Sequence, residues 1–276
     1  MLNFFLKLIF IIFINLTAYS SIEYEVENDL LIRSLDAEDT INDNLFRKKT
    51  LNDDGEEIGS NLEKKFVTIP LGCNCQPSFK TRECGVRGHA FPFDWCFTPY
   101  ESLYHFIDTD FKDFFKKENL IQSDKKLFKD FVYQFCVNQN GTHISESPGW
   151  VLDKESGMFF IHDFTNGLPE TIEREHAVHH AKYLRRINRF YSEINSGKHV
   201  YFIRFGAITK AQSISLVDLL KRKFPNLKFT LIVIESDYQE FFNDWGVPYL
   251  KNFFAINADA FDWATLCKSM SRRKLK

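Results

Sequence analysis

HVYFIRF at residues 199–205 and LKFTLIVIE at residues 227–235 are the two stretches that decide the fold. Both are almost continuously apolar over strand-like lengths, the pattern of strands covered on both faces rather than half-exposed. Between them lies SISLVDLLKRKF at 213–224, which reads as a helix, and after them come a helical DYQEFFNDW at 237–245, a strand-like YLKNFFAI at 249–256 and a last helix from about Asp259. Strands alternating with helices of ten or so residues mark parallel βαβ units. The C-terminal half is therefore expected to be βαβαβ. The fold expected is α/β, a mixed and mainly parallel sheet with helices on both faces in a three-layer, Rossmann-like arrangement.

Working towards the N-terminus, Pro169 to Ser196 reads as a long amphipathic helix stopped by Gly197. Leu184, Ile187, Tyr191 and Ile194 are expected on its buried face, with Arg185, Arg186 and Arg189 largely elsewhere. FVYQFCV at 131–137 and MFFIHDF at 158–164 look like strands separated by a turn-rich segment, in which Asn140-Gly141-Thr142 has the form of a glycosylation acceptor. Pro99 to Lys117 reads helical, and Gln76 to Arg82 reads as a helix start with Pro77 in its first turn. Before it, FVTIPL at 66–71 is a strand that Gly72 breaks.

The first twenty residues, MLNFFLKLIFIIFINLTAYS, pair Lys7 with a short apolar block and small residues at Ala18 and Ser20. That is the form of a secretory signal, with an uncleaved membrane anchor as the alternative. Export, secreted or periplasmic, is expected. Residues 21–65 are polar and acidic, a linker or pro-segment, so the α/β domain is expected over 66–276. Of the 276 residues, 44% are hydrophobic and 26% charged, and thirty are phenylalanine, which implies a core rich in aromatic surface. A formal net charge of -2 excludes a strongly nucleic-acid-binding surface. Neither a glycine-rich phosphate loop nor a metal-ligand pattern is present, and no cofactor is expected.

In open α/β sheets ligands sit beyond the carboxyl ends of the strands. That rule selects Gly72 to Cys75 after the first strand, Arg204 to Gly206, and Glu235 to Asp237. LGCNCQPSFKTRECGVRGHAFPFDWC at 71–96 holds four of the six cysteines, spaced C-x-C-x₈-C-x₁₁-C, which is not the paired-knuckle spacing of structural zinc. An oxidising compartment would permit disulfides, yet a chain of this length needs none to hold a core. Cys75 has the best placement for chemistry, because a helix start favours a thiolate. Cys73 is equally near. His176, His179 and His180 fall on the long helix and are read as solvated, and His162 stands within an apolar run, where a satisfied core histidine is the ordinary case. Asp163 follows it directly, and Asp94 in PFDW is the more distant carboxylate.

LGCNCQPSFKTR, FPFDW, FFIHDF, KYLRRINRF and VYFIRF, in that order, resemble a family of uncharacterised, mainly bacterial proteins proposed as papain-like cysteine peptidases. The likeness spans roughly Val67 to Phe205. It implies Cys75 as the cysteine, His162 as the histidine, and Asp94 and Asp163 as the aspartates, with Arg204 part of the shared core. A thiol hydrolase or acyl transferase follows as the expected function. Cys75 would be nucleophile, His162 base and Asp94 the group that orients it, while Gly72, Asp163 and Arg204 border a peptide or other carbonyl substrate. A papain-like α+β fold is the alternative architecture. The alternative function is a glycan- or nucleotide-sugar-binding protein anchored by Arg204, its cysteines structural.

Overall fold

The computed structural model describes residues 65–123, 150–235 and 239–272. The expected signal and acidic segments, the strand expected at 131–137 and Asn140 all lie outside them. Four strands, β1 (Phe66–Pro70), β6 (His199–Phe205), β7 (Lys228–Glu235) and β8 (Leu250–Phe254), form a parallel sheet in the order β1-β6-β7-β8. Four short ones, β2 (Cys96–Phe97), β3 (Leu120–Gln122), β4 (Val151–Asp153) and β5 (Phe159–Phe160), form a separate antiparallel sheet ordered β2-β5-β4-β3. The single mixed sheet expected from the sequence is thus divided into two. The protein is α/β, and its parallel sheet is not the helix-plus-barrel arrangement of the papain-like alternative.

The helices are α1 (Gln76–Glu83), α2 (Tyr100–Asp108), α3 (Pro169–Ile194), α4 (Lys210–Lys223) and α5 (Trp263–Ser271). The apolar runs of β6 and β7 have the cause inferred from them. Val200, Phe202, Leu231 and Val233 join Phe190 and Ile194 of α3 and Leu216 and Leu220 of α4 in one core. Tyr201, Ile203, Ile232 and Ile234 join Trp263, Leu266 and Met270 of α5 on the other face. Helix α4 starts at a capping box, with Thr209 Oγ1 accepting from Gln212 N and Gln212 Oε1 accepting from Thr209 N.

Three sequence expectations change. Helix α2 stops at Asp108 instead of running to Lys117, because Asp110, Phe111, Asp113 and Phe115 all take left-handed backbone angles. The helix expected at 237–245 is a 3-10 turn over Gln239–Phe242. On α3 the buried stripe runs through His179, Tyr183, Arg186, Phe190 and Ile194, whereas Leu184 is 48% exposed. Ile194 is in the core and Ile187 and Tyr191 pack against it as expected, while the stripe widens to take in two basic side chains and leaves out Leu184.

Arg204 is the largest fully buried side chain of the sheet. Its Nη1 donates to Leu71 O at 3.0 Å, and its Nη2 donates to Thr98 O at 3.0 Å and Ala207 O at 3.3 Å. One guanidinium thereby joins the end of β1, the segment after β2 and the loop after β6. Truncating it leaves three buried carbonyls without a donor. Arg204→Met is expected to lower unfolding free energy in urea by about 3–5 kcal/mol, the range for breaking a buried charged contact. Arg204→Lys recovers only part of that, because an ammonium cannot reproduce the fork.

Candidate active site

The end of β1 turns sharply. Gly72 (φ +70°) and Cys73 (φ +62°) are both left-handed, and a Cβ on Gly72 would stand 2.7 Å from Thr98 Oγ1. Gly72 is therefore required by backbone and by close approach, and its place is within the packing. Cys73 is fully buried with Phe97, Leu152 and Phe159. Cys75, two residues on, is half-buried at the N-cap of α1. The turn separates two cysteines that the sequence left equivalent, one facing the core and one at the helix start.

The electrostatics of that start differ from the sequence argument. Burial pushes the Cys75 thiol above its ordinary value, with its own backbone N–H pulling weakly the other way. Desolvation is the dominant influence on this thiol. Nor are the first-turn donors open: Gln76 N donates to Asn74 Oδ1 at 3.0 Å, and Pro77 carries no N–H.

Asp94 is fully buried and belongs to a different task from the one expected. Its Oδ2 accepts from Arg87 Nη2 and, at 3.0 Å, from Phe91 N. Arg87 Nη1 donates to Ser78 O at 3.2 Å, and Ser78 Oγ donates to Asp94 O at 2.9 Å. This buried pair ties the PFDW segment to α1. No hydrogen bond joins Asp94 to His162 among the described residues, so in this structure it does not orient the imidazole. What it positions is the next residue. Trp95 packs edge-on against Phe79 of α1 at 4.8 Å, beneath the guanidinia of Arg82 and Arg87, each 5.5 Å from its ring.

The other edge of Trp95 meets His162, with ring centroids 5.9 Å apart. His162 lies in a bend just past β5 and is exposed, neither in a strand nor in the core. The shielding it does have lowers its pKa, opposed by the carboxylate of Asp163 and reinforced by Lys182. It is neutral at neutral pH. Cys75 and His162 make no hydrogen bond to each other; Trp95 touches both the helix that Cys75 begins and the imidazole.

Asp163 points the opposite way from its neighbour, into α3. It pairs with Lys182, and Tyr183 Oη donates to its Oδ2 at 2.8 Å. Burial alone would raise this carboxyl, but Lys182, His179 and Arg186 overcome it and hold the pKa at about 2. His179, expected in solvent, is buried against Phe164, and desolvation helped by Lys182 brings it down to about 4. Cys96, 3.3 Å from Tyr183 Oη, is pushed up to about 12 by burial. This network braces the bend that carries His162, so the substrate-binding role expected for Asp163 is replaced by a structural one.

Arg204 is also displaced from its expected role. With no exposed surface and three carbonyl partners, it offers no edge to an anionic ligand. The glycan- or nucleotide-sugar-binding alternative loses its anchor. What does hold is the adjacency assumed for the rim: β1, β6 and β7 are neighbours, and their carboxyl ends, including buried Glu235, lie side by side. Sequence reasoning missed Trp95, Arg87 and Asn74. The proximity of Arg87 and Trp95 to PFDW was a visible signal, but their partners on α1 come from the fold.

The α3 network makes the fold acid-sensitive in two separable intervals. His179 takes up its proton near pH 6.5 when unfolded but only near 4 when folded, so stability present above pH 6.5 is lost as pH falls towards 4. Asp163 contributes stability that is present above the ordinary carboxyl value of 3.8 and lost as pH falls towards 2. Urea unfolding is expected to flatten across the first interval in His179→Phe and across the second in Asp163→Asn. A wild-type stability unchanged between pH 7 and 4 would contradict this.

Comparison with known proteins places these features in a family. The family described as "Putative papain-like cysteine peptidase (DUF1796)" matches residues 66–238, which include the β1 turn, the PFDW segment, the His162 bend, α3 and the first three strands of the parallel sheet. A relative in Acanthamoeba polyphaga mimivirus, Uncharacterized protein R408, is 25% identical over 170 residues, covering 60% of this chain and 74% of its own length. No solved structure matches the chain. By the extent of the family match, this chain belongs to the DUF1796 family.

Proposed function

We propose that the chain is a thiol hydrolase or acyl transferase in which Cys75 is the nucleophile and His162 its base. The observation that carries this reading is the separation of the two cysteines after β1. Cys73 is sealed in the core, while Cys75 is half-exposed at a helix start that Trp95 links to the ring of His162. The family description supports peptide or isopeptide bonds as the substrate class.

The charge states favour a particular order of events. Burial raises the thiol and lowers the imidazole, so the resting pair is neutral on both sides. There is no standing thiolate–imidazolium pair to attack with. Instead Sγ bonds to the carbonyl carbon as its proton passes to His162, and the carbonyl electron pair moves onto oxygen. Collapse of that intermediate breaks the bond to the leaving amine, which takes the proton from His162. Water, or an acceptor amine in the transferase case, then cleaves the thioester with His162 again as base. Thiol and imidazole close on each other when a substrate binds, which fits the looseness of catalytic contacts in unliganded sites.

The oxyanion needs donors, and the helix start supplies few. With Gln76 N engaged and Pro77 lacking an N–H, the donors assigned to the oxyanion are the Cys75 N–H and Asn74 Nδ2. Asn74 is buried, and its Oδ1 is already held by Gln76 N, which turns its amide nitrogen into the donor end. Asp94 and Arg87 act behind Trp95, as positioning residues.

Turnover of a panel of fluorogenic peptide and isopeptide substrates tests the reading. Cys75→Ala is expected to abolish it and Cys73→Ala to leave it within a few-fold. His162→Ala is expected to reduce kcat by about 10²–10⁴-fold. Because the His162 pKa is lowered, the acid limb of kcat/KM is expected below pH 6.5. Turnover that survives Cys75→Ala overturns the assignment.

A further inference from the structure

The far end of α1 carries a second thiol site that the proposed reaction does not use. Cys84 caps the C-terminus of α1 and is half-buried, while Cys267 sits in α5 among Trp263, Leu266 and Met270. Cys84 Sγ lies 3.8 Å from Trp263 O, the carbonyl one helical turn below Cys267 on the same face of α5. Cys84 packs against the buried cluster that contains Cys267. Both are free cysteines, and α1 and α5 are in direct contact.

The surroundings divide the labour between them. Lys80, one turn back on α1, holds Asp259 at 3.0 Å and adds positive charge near Cys84, with Glu83 and Asp262 adding negative charge. The neighbouring Cys267 thiol is the main influence lowering the Cys84 pKa, against the opposing effect of burial. Cys84 is the more accessible of the two and has Lys80 one turn away, the setting of the attacking member of a pair.

We propose that Cys84 and Cys267 form a dithiol site that closes to a disulfide by exchange with a low-molecular-weight disulfide, and that this bond clamps α1 to α5. Cys84 thiolate attacks one sulfur of the small disulfide. A mixed disulfide forms, and the first small thiolate leaves and takes up a proton. Cys267 gives up its proton and attacks the Cys84 sulfur, forming the Cys84–Cys267 bond and releasing the second small thiol. The protein pair is oxidised by two electrons and one small disulfide is reduced to two thiols. The proposal is independent of the chemistry assigned to Cys75, which lies at the opposite end of α1.

The test equilibrates the full chain in glutathione buffers from fully reduced to fully oxidised, quenches with acid, alkylates and maps every cysteine by mass spectrometry. The expected result is one cross-linked peptide pair containing Cys84 and Cys267, appearing with a two-electron dependence on the glutathione ratio. A rise in Tm of several degrees that reductant reverses is expected with it. Cys267→Ser is expected to trap glutathione on Cys84, while Cys84→Ser leaves Cys267 unmodified. The proposal is overturned if wild-type Cys84 and Cys267 both remain alkylatable at every ratio. It is equally overturned if Cys84 is recovered joined to another cysteine. The wild-type map decides the matter even if either variant fails to fold.

Discussion

A guanidinium taken out of water costs several kcal/mol unless its N–H groups find acceptors, and Arg204 meets that condition at both Nη atoms with three backbone carbonyls, while its buried Nε has none. The acceptors belong to Leu71, Thr98 and Ala207, which lie in segments far apart in the chain. Because a planar fork offers donors in set directions, it dictates where those segments stand relative to β6. The end of β1, the start of α2 and the loop before α4 are all placed by this one side chain. Gly72 completes the arrangement, since its missing Cβ is what lets the β1 turn press against Thr98. Everything proposed for Cys75 rests on that turn being where it is.

The site is assembled from two buried ionic clusters that never touch the reacting atoms. Arg87 and Asp94 fasten the PFDW segment to α1 and thereby set Trp95 beneath the helix that Cys75 begins. Asp163, Lys182 and Tyr183 fasten the bend after β5 to α3 and thereby present His162 to the other edge of Trp95. Buried charges of this kind add little net stability, but removing one partner is costly, so they enforce a single geometry. The aspartates of the family motif act here as supports for the residues that follow and precede them.

Burial shapes the chemistry as much as position does. Cys75 stands at a helix start, and its desolvation raises the thiol pKa above the ordinary value. His162 is lowered for the same reason. In the reaction proposed for them, proton transfer would accompany attack rather than precede it. Cys84 shows the converse case, where a neighbouring thiol and a lysine outweigh partial burial. Two cysteines at opposite ends of one eight-residue helix thus acquire opposite tendencies from their surroundings.

The sequence by itself determined the parallel βαβ units, because HVYFIRF and LKFTLIVIE can satisfy their apolar character only between two helical layers. It also determined the family, and the nomination of Cys75 and His162, because their motifs are contiguous. Whatever depends on contacts between distant segments needed the tertiary structure. The antiparallel strands are two or three residues long, too short to carry a period, and so their separation into a second sheet was invisible. The packed face of α3 was legible through Ile187, Tyr191 and Ile194, but not the burial of Arg186 and His179, whose aromatic and ionic partners no hydropathy pattern encodes. From the sequence, Asp94 reads as the group that orients the imidazole and Arg204 as a substrate anchor at the strand ends. The fold instead gives each a buried hydrogen-bonding partner, and a charge so engaged holds the scaffold in place.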